Sequence, residues 1–543
     1  MARTSDDQIG SHDASSVITE EAVADPRRRR MILIAMCVAL IAVIASVSGL
    51  NVAQQQLSAE LGATQSQLLW VINGYTIALA ALLLPIGAIG DRWGRKHILI
   101  GGLALFSVAN ALASIASTPT QLIAFRVLGG VGAAMIMPVT LSVITSSFPA
   151  EERGRAVGIW AGVAGAGGIL GLISSAILVD NFTWPWLFAG PIALAAISGA
   201  MTFRFVPHSR EHSEGRFDIT GSVLSALAVG GLVLGIHEGP EHGWMSTLAV
   251  VGLVLGIVAG AAFVRWELRS ESPLIDLRVF SNRSLAGGSL SLLITFAVLT
   301  GLFLAVVQFM QAVLGYSALK ASVSLLPMAA MMMPLSTVAP QIAKRVGLRT
   351  ILTLGSLLIA TGLALLGFFS SADGGYLSVL PGLMVMGLGV GFSMSPGTEA
   401  ITGSLPEERQ GVASALNDTV REFGGALGVA LIGSLLSSGY SDRIGNVTVG
   451  LPAEAAGAVK EGIGGALTVA PTLGDRGPVV VEAAREAFVH GWQLAMWVAA
   501  GLLVIAAAFT AVWIPGRNSA NADLPEGALE GRFEDELELA IAD

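Results

Sequence analysis

Fourteen stretches of the 543-residue chain are apolar over about the 20 residues that a helix needs to cross hydrocarbon. They begin near Met31, Leu68, His97, Gln121, Arg155, Leu187, Thr220, Ser246, Gly287, Lys320, Arg349, Tyr376, Gln410 and His490. The runs are continuous and do not alternate apolar with polar residues, as barrel strands would. Lipid satisfies no backbone group, so each run must close its own hydrogen bonds as a helix. The expected fold class is therefore an all-α polytopic membrane protein. Composition agrees: 53% of residues are hydrophobic and only 13% charged, against about 25% charged in an ordinary soluble domain. A net charge of −9 offers no basic face for phosphate, so nucleic acid is not an expected partner. A single cysteine, Cys37, excludes an intrachain disulfide and a multi-cysteine metal site. No cofactor and no metal are expected.

Charge sets the topology. A polar segment, residues 1–30, ends in Arg27, Arg28, Arg29 and Arg30. The run that follows is too long for a signal-peptide core and lacks a small-residue cleavage site, so it reads as a retained first span. By the positive-inside rule its leading end is cytoplasmic. With fourteen spans from that start, the outside loops carry only Lys320, Arg443, Lys460, Arg476 and Arg485. Arg126 and Arg421 fall within spans, and the remaining 23 of the 30 basic residues lie inside. An odd number of spans breaks this asymmetry, so both termini are expected in the cytoplasm. The outside connection 438–488 has helix-like patches broken by Gly and Pro. It reads equally as an amphipathic hairpin or lid and as an irregular loop. The tail 517–543 is acidic and is expected to be disordered.

An internal repeat divides the chain. Ile144-Thr-Ser-Ser-Phe-Pro149 with Glu151-Glu152-Arg153 returns as Ile401-Thr-Gly-Ser-Leu-Pro406 with Glu407-Glu408-Arg409. The offset is about 257 residues, and it also carries Gly130 and Gly132 onto Gly387 and Gly389. Arg92-x-Gly94-x-Lys96 is echoed by Arg345-x-Gly347-x-Arg349. Both copies fall in inside loops, so the repeat is parallel, a plan known for transporters made of two six-helix halves. The expected organisation is a first half over 31–206, two inserted helices with their flanking loops over 207–286, and a second half over 287–516.

The loop after the second span reads Gly87-Ala-Ile-Gly90-Asp91-Arg92-Trp-Gly94-Arg95-Lys96. Its glycines allow helix ends to approach closely. Asp91 can face the positive end of a neighbouring helix, while Arg92 and Arg95 can pair with carboxylates. Such a loop would latch one side of a carrier shut. Span 13 places Asn417, Asp418, Arg421 and Glu422 in an otherwise apolar helix. Asp418 and Glu422 are four apart and share a face, roughly 12–18 Å from the start of the span near Gln410. A carboxylate that loses and gains a proton there repels nothing when neutral and attracts a cation when ionised. An internal pair between Asp418 and Arg421 that merely cancels charge is the alternative. Arg126 lies in span 4, where a buried arginine is costly and points to function.

The loop signature resembles that of the major facilitator superfamily. The likeness extends over nearly the whole chain, through Phe217-Asp218-x-x-Gly221, Gly243-Trp244, Trp266-Glu267, Pro273-Leu-Ile-Asp-Leu-Arg278-Val-Phe280, Gln311-x-x-Leu-Gly315-Tyr316-Ser317 and Gly424-Gly-Ala-Leu-Gly428. These are similar to the fourteen-span drug:proton antiporter branch of the EmrB/QacA type. The resemblance implies the major facilitator fold, two six-helix pseudo-repeats plus two inserted helices. It also implies export of hydrophobic, often cationic compounds against an inward flow of protons, and it ties Arg126 to proton transfer. Two positions depart from the branch. Ser46 stands where its first span carries an aspartate. Leu172, Ser174 and Ser175 replace the proline and paired glycines of its fifth-span signature, leaving Gly165, Gly167, Gly168 and Gly171 for tight helix packing. These departures fit altered coupling, a neutral or anionic cargo, or a narrow cargo range.

Asn51, Asn73, Tyr75, Gln308 and Gln311 are further candidates for lining a wet cavity, although amides in spans more often bond helix to helix. The seven histidines fall in loops, tails or span ends, which argues against a membrane-embedded enzyme. No phosphate-binding G-x-x-x-x-G-K-[ST] loop is present. The expected partners are a small-molecule substrate, protons and the bilayer of a bacterial cell membrane, with the chain acting as a monomer. A carrier of a lipid, metabolite or siderophore, or a membrane sensor, remains the alternative.

Overall fold

The structure is a computed structural model that describes residues 23–52, 57, 60–207, 217–405 and 409–516. The expectations for residues 1–22 and for the tail 517–543 fall outside it. Among the described residues the secondary structure is wholly helical. Fourteen long helices run in chain order: α1 Pro26–Val52, α2 Gln65–Trp93, α3 Arg95–Ser114, α4 Pro119–Ser147, α5 Ala150–Asn181, α6 Ala189–Phe205 and α7 Ile219–His242. They continue as α8 Thr247–Glu267, α9 Arg283–Gln308, α10 Leu326–Val346, α11 Leu348–Phe369, α12 Leu380–Thr402, α13 Gln410–Ile444 and α14 Gly477–Trp513. Thirteen helical segments are long and apolar enough to cross a membrane. The long helix outside that set is α12, whose 23 residues include five glycines and two prolines and are mostly buried in protein. The chain is a multi-pass membrane protein.

Helix ends fall where the sequence provides caps. Thr64 and Gln67 form a reciprocal capping box at α2. Thr118, Asp218, Ser246 and Asn282 each accept a hydrogen bond from the first turn of α4, α7, α8 and α9. Two turns need glycine. Gly94 joins α2 to α3 with φ 105°, and Gly347 joins α10 to α11 with φ 89°. These are the glycines that the two loop repeats share, and both sit in the region closed to other residues.

The repeat is also visible in packing. A Cβ on Gly130 would lie 2.3 Å from the Tyr75 carbonyl oxygen, and one on Gly132 would lie 2.8 Å from the Phe106 nitrogen, so α4 nests against α2 and α3. Gly387 and Gly389 bring α12 equally close to Met328 of α10 and to Gly355 and Ile359 of α11. α7 and α8 form a tight pair through Gly231, Gly235, Gly252 and Gly256. That pair rests on α2 at Ala81 and, through Val233 and Ile236, on Ala426 and Ala430 of α13.

The connection between α13 and α14 is helical rather than irregular. It contains helices Ala453–Glu461 and Ile463–Val469. Val459, Ile463 and Ala466 join the core that holds Phe488 and Trp492, and the Tyr440 hydroxyl donates to the Val459 carbonyl at 2.8 Å. α14 starts at Gly477, not near His490, because Val480, Ala484 and Ala487 continue its buried face.

Candidate functional site

Asp418 and Asn417 are fully buried on α13, and Arg421 nearly so. One Asp418 carboxylate oxygen accepts from Asn417 Nδ2 at 3.0 Å and from Arg421 Nη1 at 3.3 Å. Its other oxygen, Asn417 Oδ1 and Arg421 Nε have no hydrogen-bond partner among the described residues. The ion pair across one turn, the alternative weighed above, is therefore formed, yet it leaves half the carboxylate unsatisfied. The Arg421 guanidinium lies 4.4 Å from the Phe296 ring centroid on α9 and 5.2 Å from that of Trp160 on α5. Such cation–π contacts hold a charge where water does not. Trp160 is itself fixed by donating to Thr140 of α4 at 3.2 Å. Arg421 thus bridges helices that lie far apart in the chain. Glu422 is within electrostatic reach of Arg421, Asp418 and Tyr75.

Arg126 is 2% exposed on α4. Its Nε donates to the Val71 carbonyl at 3.1 Å and its Nη1 to the Ser46 hydroxyl at 2.9 Å. The guanidinium lies over the Tyr75 ring at 4.2 Å. Ser46 in turn donates to Asn110 at 3.2 Å, and Tyr75 donates to the Val43 carbonyl at 3.4 Å. Arg126 points inward rather than snorkelling to an interface. It makes no ion pair among the described residues, and its Nη2 is buried without a partner.

The glycine-rich loop forms the contact its chemistry suggested. The Asp91 carboxylate accepts from the Gly411 and Val412 backbone nitrogens at 2.9 and 3.1 Å, at the first turn of α13. Two of the free donors of that helix end are satisfied and its positive dipole is met. Arg95 holds the same carboxylate at 3.0 Å. The approach depends on glycine: a Cβ on Gly87 would lie 2.6 Å from the Gly411 oxygen, and one on Gly411 would lie 2.5 Å from Asp91. Gly90 faces Val139 of α4. Lys96 donates to the Phe203 and Val206 carbonyls at the end of α6, and Arg92 lies against the Trp93 ring.

The remaining candidates scatter. Asn73 is buried on α2. Gln308 and Gln311 are exposed, the first just before and the second within the π-helical turn Phe309–Val313. The side chain of Asn51 lies outside the described residues. Of the α5 glycines, Gly165 meets Met332 of α10 and Gly167 meets Ile44 of α1, Gly168 has nothing within 4 Å, and Gly171 is buried. Sequence reasoning missed Trp160, Phe296, Thr140 and Asn110, which carry no motif. It read Ser46 only as a missing acid, not as the partner of Arg126. A wholly apolar crevice of about 490 Å³ lies on the outer wall between α9, α13 and α14, lined by Ala297, Leu427, Leu502 and Phe509 among others.

Comparison with known proteins adds to this geometry. The family described as Major Facilitator Superfamily matches residues 34–429. The multidrug efflux pump LfrA of Mycolicibacterium smegmatis is 34% identical over 448 residues, covering 82% of this chain and 88% of that protein. The methyl viologen resistance protein SmvA of Salmonella typhimurium is 31% identical over 486 residues, covering 88% and 97%. Among solved structures, the proton:xylose symporter XylE superimposes with a TM-score of 0.57 at 14% identity, over 90% of this chain and 96% of that one. At that identity the likeness concerns the fold.

Proposed function

The chain belongs to the major facilitator superfamily, and from that premise we propose that it is a proton-coupled exporter of small amphipathic, cationic compounds in the drug:proton antiporter branch. Asp418 carries the reading: a fully buried carboxylate in mid-span with one oxygen free. When the site opens to the side of high proton activity, Asp418 and Glu422 take up protons and release a cation. When it opens to the other side, they lose protons and bind one. Arg421 sets the balance, since it offers the ionised carboxylates a competing charge that cargo must replace. One proton crossing 100 mV supplies about 2.3 kcal/mol, enough for a roughly fiftyfold gradient of cargo.

In this reading the protein works as a monomer in a bacterial plasma membrane, with both termini and the basic loops in the cytoplasm. Residues 31–206 and 287–516 are the two rocking halves, and 207–286 provide the inserted pair. The Asp91 latch closes the cytoplasmic side. Similarity to multidrug efflux and methyl viologen resistance proteins supports this cargo class. The test is flux in proteoliposomes with an imposed pH gradient. A cationic dye should leave against its gradient while protons move the other way, and proton movement indifferent to every cationic dye would end the antiport reading.

A second reading of the cargo rests on Arg126. With Ser46 in place of an acid, its charge meets, among the described residues, only neutral acceptors and a ring. A cargo carrying an acidic group beside its cationic one would match Arg126 on one side and Glu422 on the other, across Tyr75.

A further inference from the structure

The Asp91 latch ties α2 to the first turn of α13. In the repeat, α5 is the helix equivalent to α13: the same Pro and Glu-Glu-Arg stand at the start of each, within the first residues of α5 and just before α13, and Gly154 stands 257 residues before Gly411. The amino-terminal part of α5 also meets a carboxylate, but from another helix and at its fifth residue, Gly154, rather than at its free backbone nitrogens. A Cβ on Gly154 would lie 3.1 and 3.3 Å from the two Glu399 carboxylate oxygens and 3.2 Å from Pro340. Glu399 belongs to α12, and Pro340 is the repeat counterpart of Gly87. At Asp91's own repeat position stands a base, Lys344. Lys344 and Arg153 are both within electrostatic reach of Glu399. The acid of the second copy has thus moved from the loop to the neighbouring helix and reaches the equivalent end of the opposite copy. Of the acids in the first turn of α5, Glu152 is already engaged by Arg29 at 2.9 Å. The seam continues inward, where Ser336 donates to the Gly158 carbonyl at 3.0 Å and a Cβ on Gly158 would lie 3.3 Å from Ser395 Oγ.

We propose that Glu399 is a positioning residue of the transport cycle: a second latch that holds α12 and α10 against the amino end of α5 and closes the cytoplasmic side together with Asp91. The proposal rests on the alternating-access reading, and its test needs neither cargo nor a proton gradient, so the two can fail separately. Each latch places one carboxylate against a glycine near the amino end of a helix of the opposite copy, where a methyl group would intrude; Asp91 accepts from free backbone nitrogens there, whereas Glu399 lies in reach of the Arg153 charge on α5. Each lies on one of the two seams, α2–α13 and α5 with α10 and α12, so neither alone shuts the cytoplasmic side.

The test uses a single reporter thiol. With Cys37→Ala as background, Ser395→Cys places a thiol one turn inward from Glu399 at a position that is fully buried here. Inside-out vesicles are treated with a membrane-impermeant maleimide. In Glu399→Gln, labelling should rise about fivefold, the scale of losing one ionic contact with Arg153. Glu399→Asp keeps the charge on a shorter arm and should fall between. Asp91→Asn, read at the same thiol, should raise labelling as well, because the halves move as bodies. Thermal stability of each purified variant is measured alongside; a rise in labelling with unchanged melting marks opening rather than unfolding. Labelling at the parental rate in both Glu399 variants overturns the proposal, as does equal labelling in Glu399→Gln and Glu399→Asp.

Discussion

Helices α5 and α13 hold the same place in the repeat, and each packs a glycine near its amino end against a carboxylate from the opposite copy. Further along they part. Counting by the 257-residue offset, Asp418, Arg421 and Glu422 on α13 stand where α5 has Ala161, Ala164 and Gly165. The reverse holds on the next pair, where Arg126 of α4 matches Leu383 of α12. The backbone is duplicated, while each of these ionisable groups appears once. A symmetric frame lets two bodies rock about one axis. Unlike charges placed on the two sides of that axis give the centre a polarity, with the acids in one copy and, in the other, a guanidinium that makes no ion pair among the described residues. A matching acid on α5 would set two like charges across the interface and favour separation of the bodies.

The strongest break of this comparison is to remove the acids. On the proposed function, Asp418→Asn with Glu422→Gln abolishes proton-driven efflux in proteoliposomes while the protein keeps its elution volume and melting temperature; undiminished efflux would take both residues out of the mechanism. Imposing the symmetry that the chain avoids comes next. Ala161→Asp puts an acid at the counterpart of Asp418 without an arginine beside it, and a charge at such depth costs about 3 kcal/mol. A fall in melting temperature in detergent checks it. Asp91→Asn should lower turnover about tenfold with binding changed far less, since a latch contact of about 1.4 kcal/mol acts on the cycle and not on the cargo; equal losses in both would show that Asp91 shapes the binding site.

Smaller effects sharpen the polarity. Rhodamine 110 carries a free carboxylate that its methyl ester, rhodamine 123, lacks. If Arg126 reads an acidic group, the parent protein prefers the acid, and Ser46→Asp should cut that preference several-fold by giving Arg126 an internal partner worth about 1 kcal/mol or more. An unchanged ratio of dissociation constants would dismiss the acidic-cargo reading. Smallest is the contrast of two glycines: Gly411→Ala has no room beside Asp91 and should destabilise the protein, whereas Gly168→Ala meets nothing and should be neutral or stabilising by up to about 0.5–1 kcal/mol.

What could be read from the chain followed from local rules. Apolar length located the long helices, and the return of Ile144–Pro149 at Ile401–Pro406, with the loop glycines Gly94 and Gly347, gave the repeat. Asp91 was legible because a carboxylate after a glycine pair has little else to meet than a helix end. Contacts distant in sequence were not legible. Ser46 and Arg126 are 80 residues apart, and nothing in either span fixes which way it faces. The aromatic seat of Arg421 draws on α5 and α9, where Trp160 and Phe296 look like ordinary packing. The hairpin between α13 and α14 was ambiguous because its helices are short and their buried face is supplied by α14.

α13 and α14 run 35 and 37 residues, far more than the thickness of hydrocarbon requires. Ile444 lies about 39 Å along the axis from Asp418 at 1.5 Å per residue. A rigid rod of that reach works as an oar. A tilt of about 10° at its pivot sweeps the blade by about 7 Å at this length, and the paired helices Ala453–Glu461 and Ile463–Val469 ride on it. Events at the pivot are thereby magnified into a stroke above the lipid, where a pair of spectroscopic labels can time each cycle without touching the charged centre.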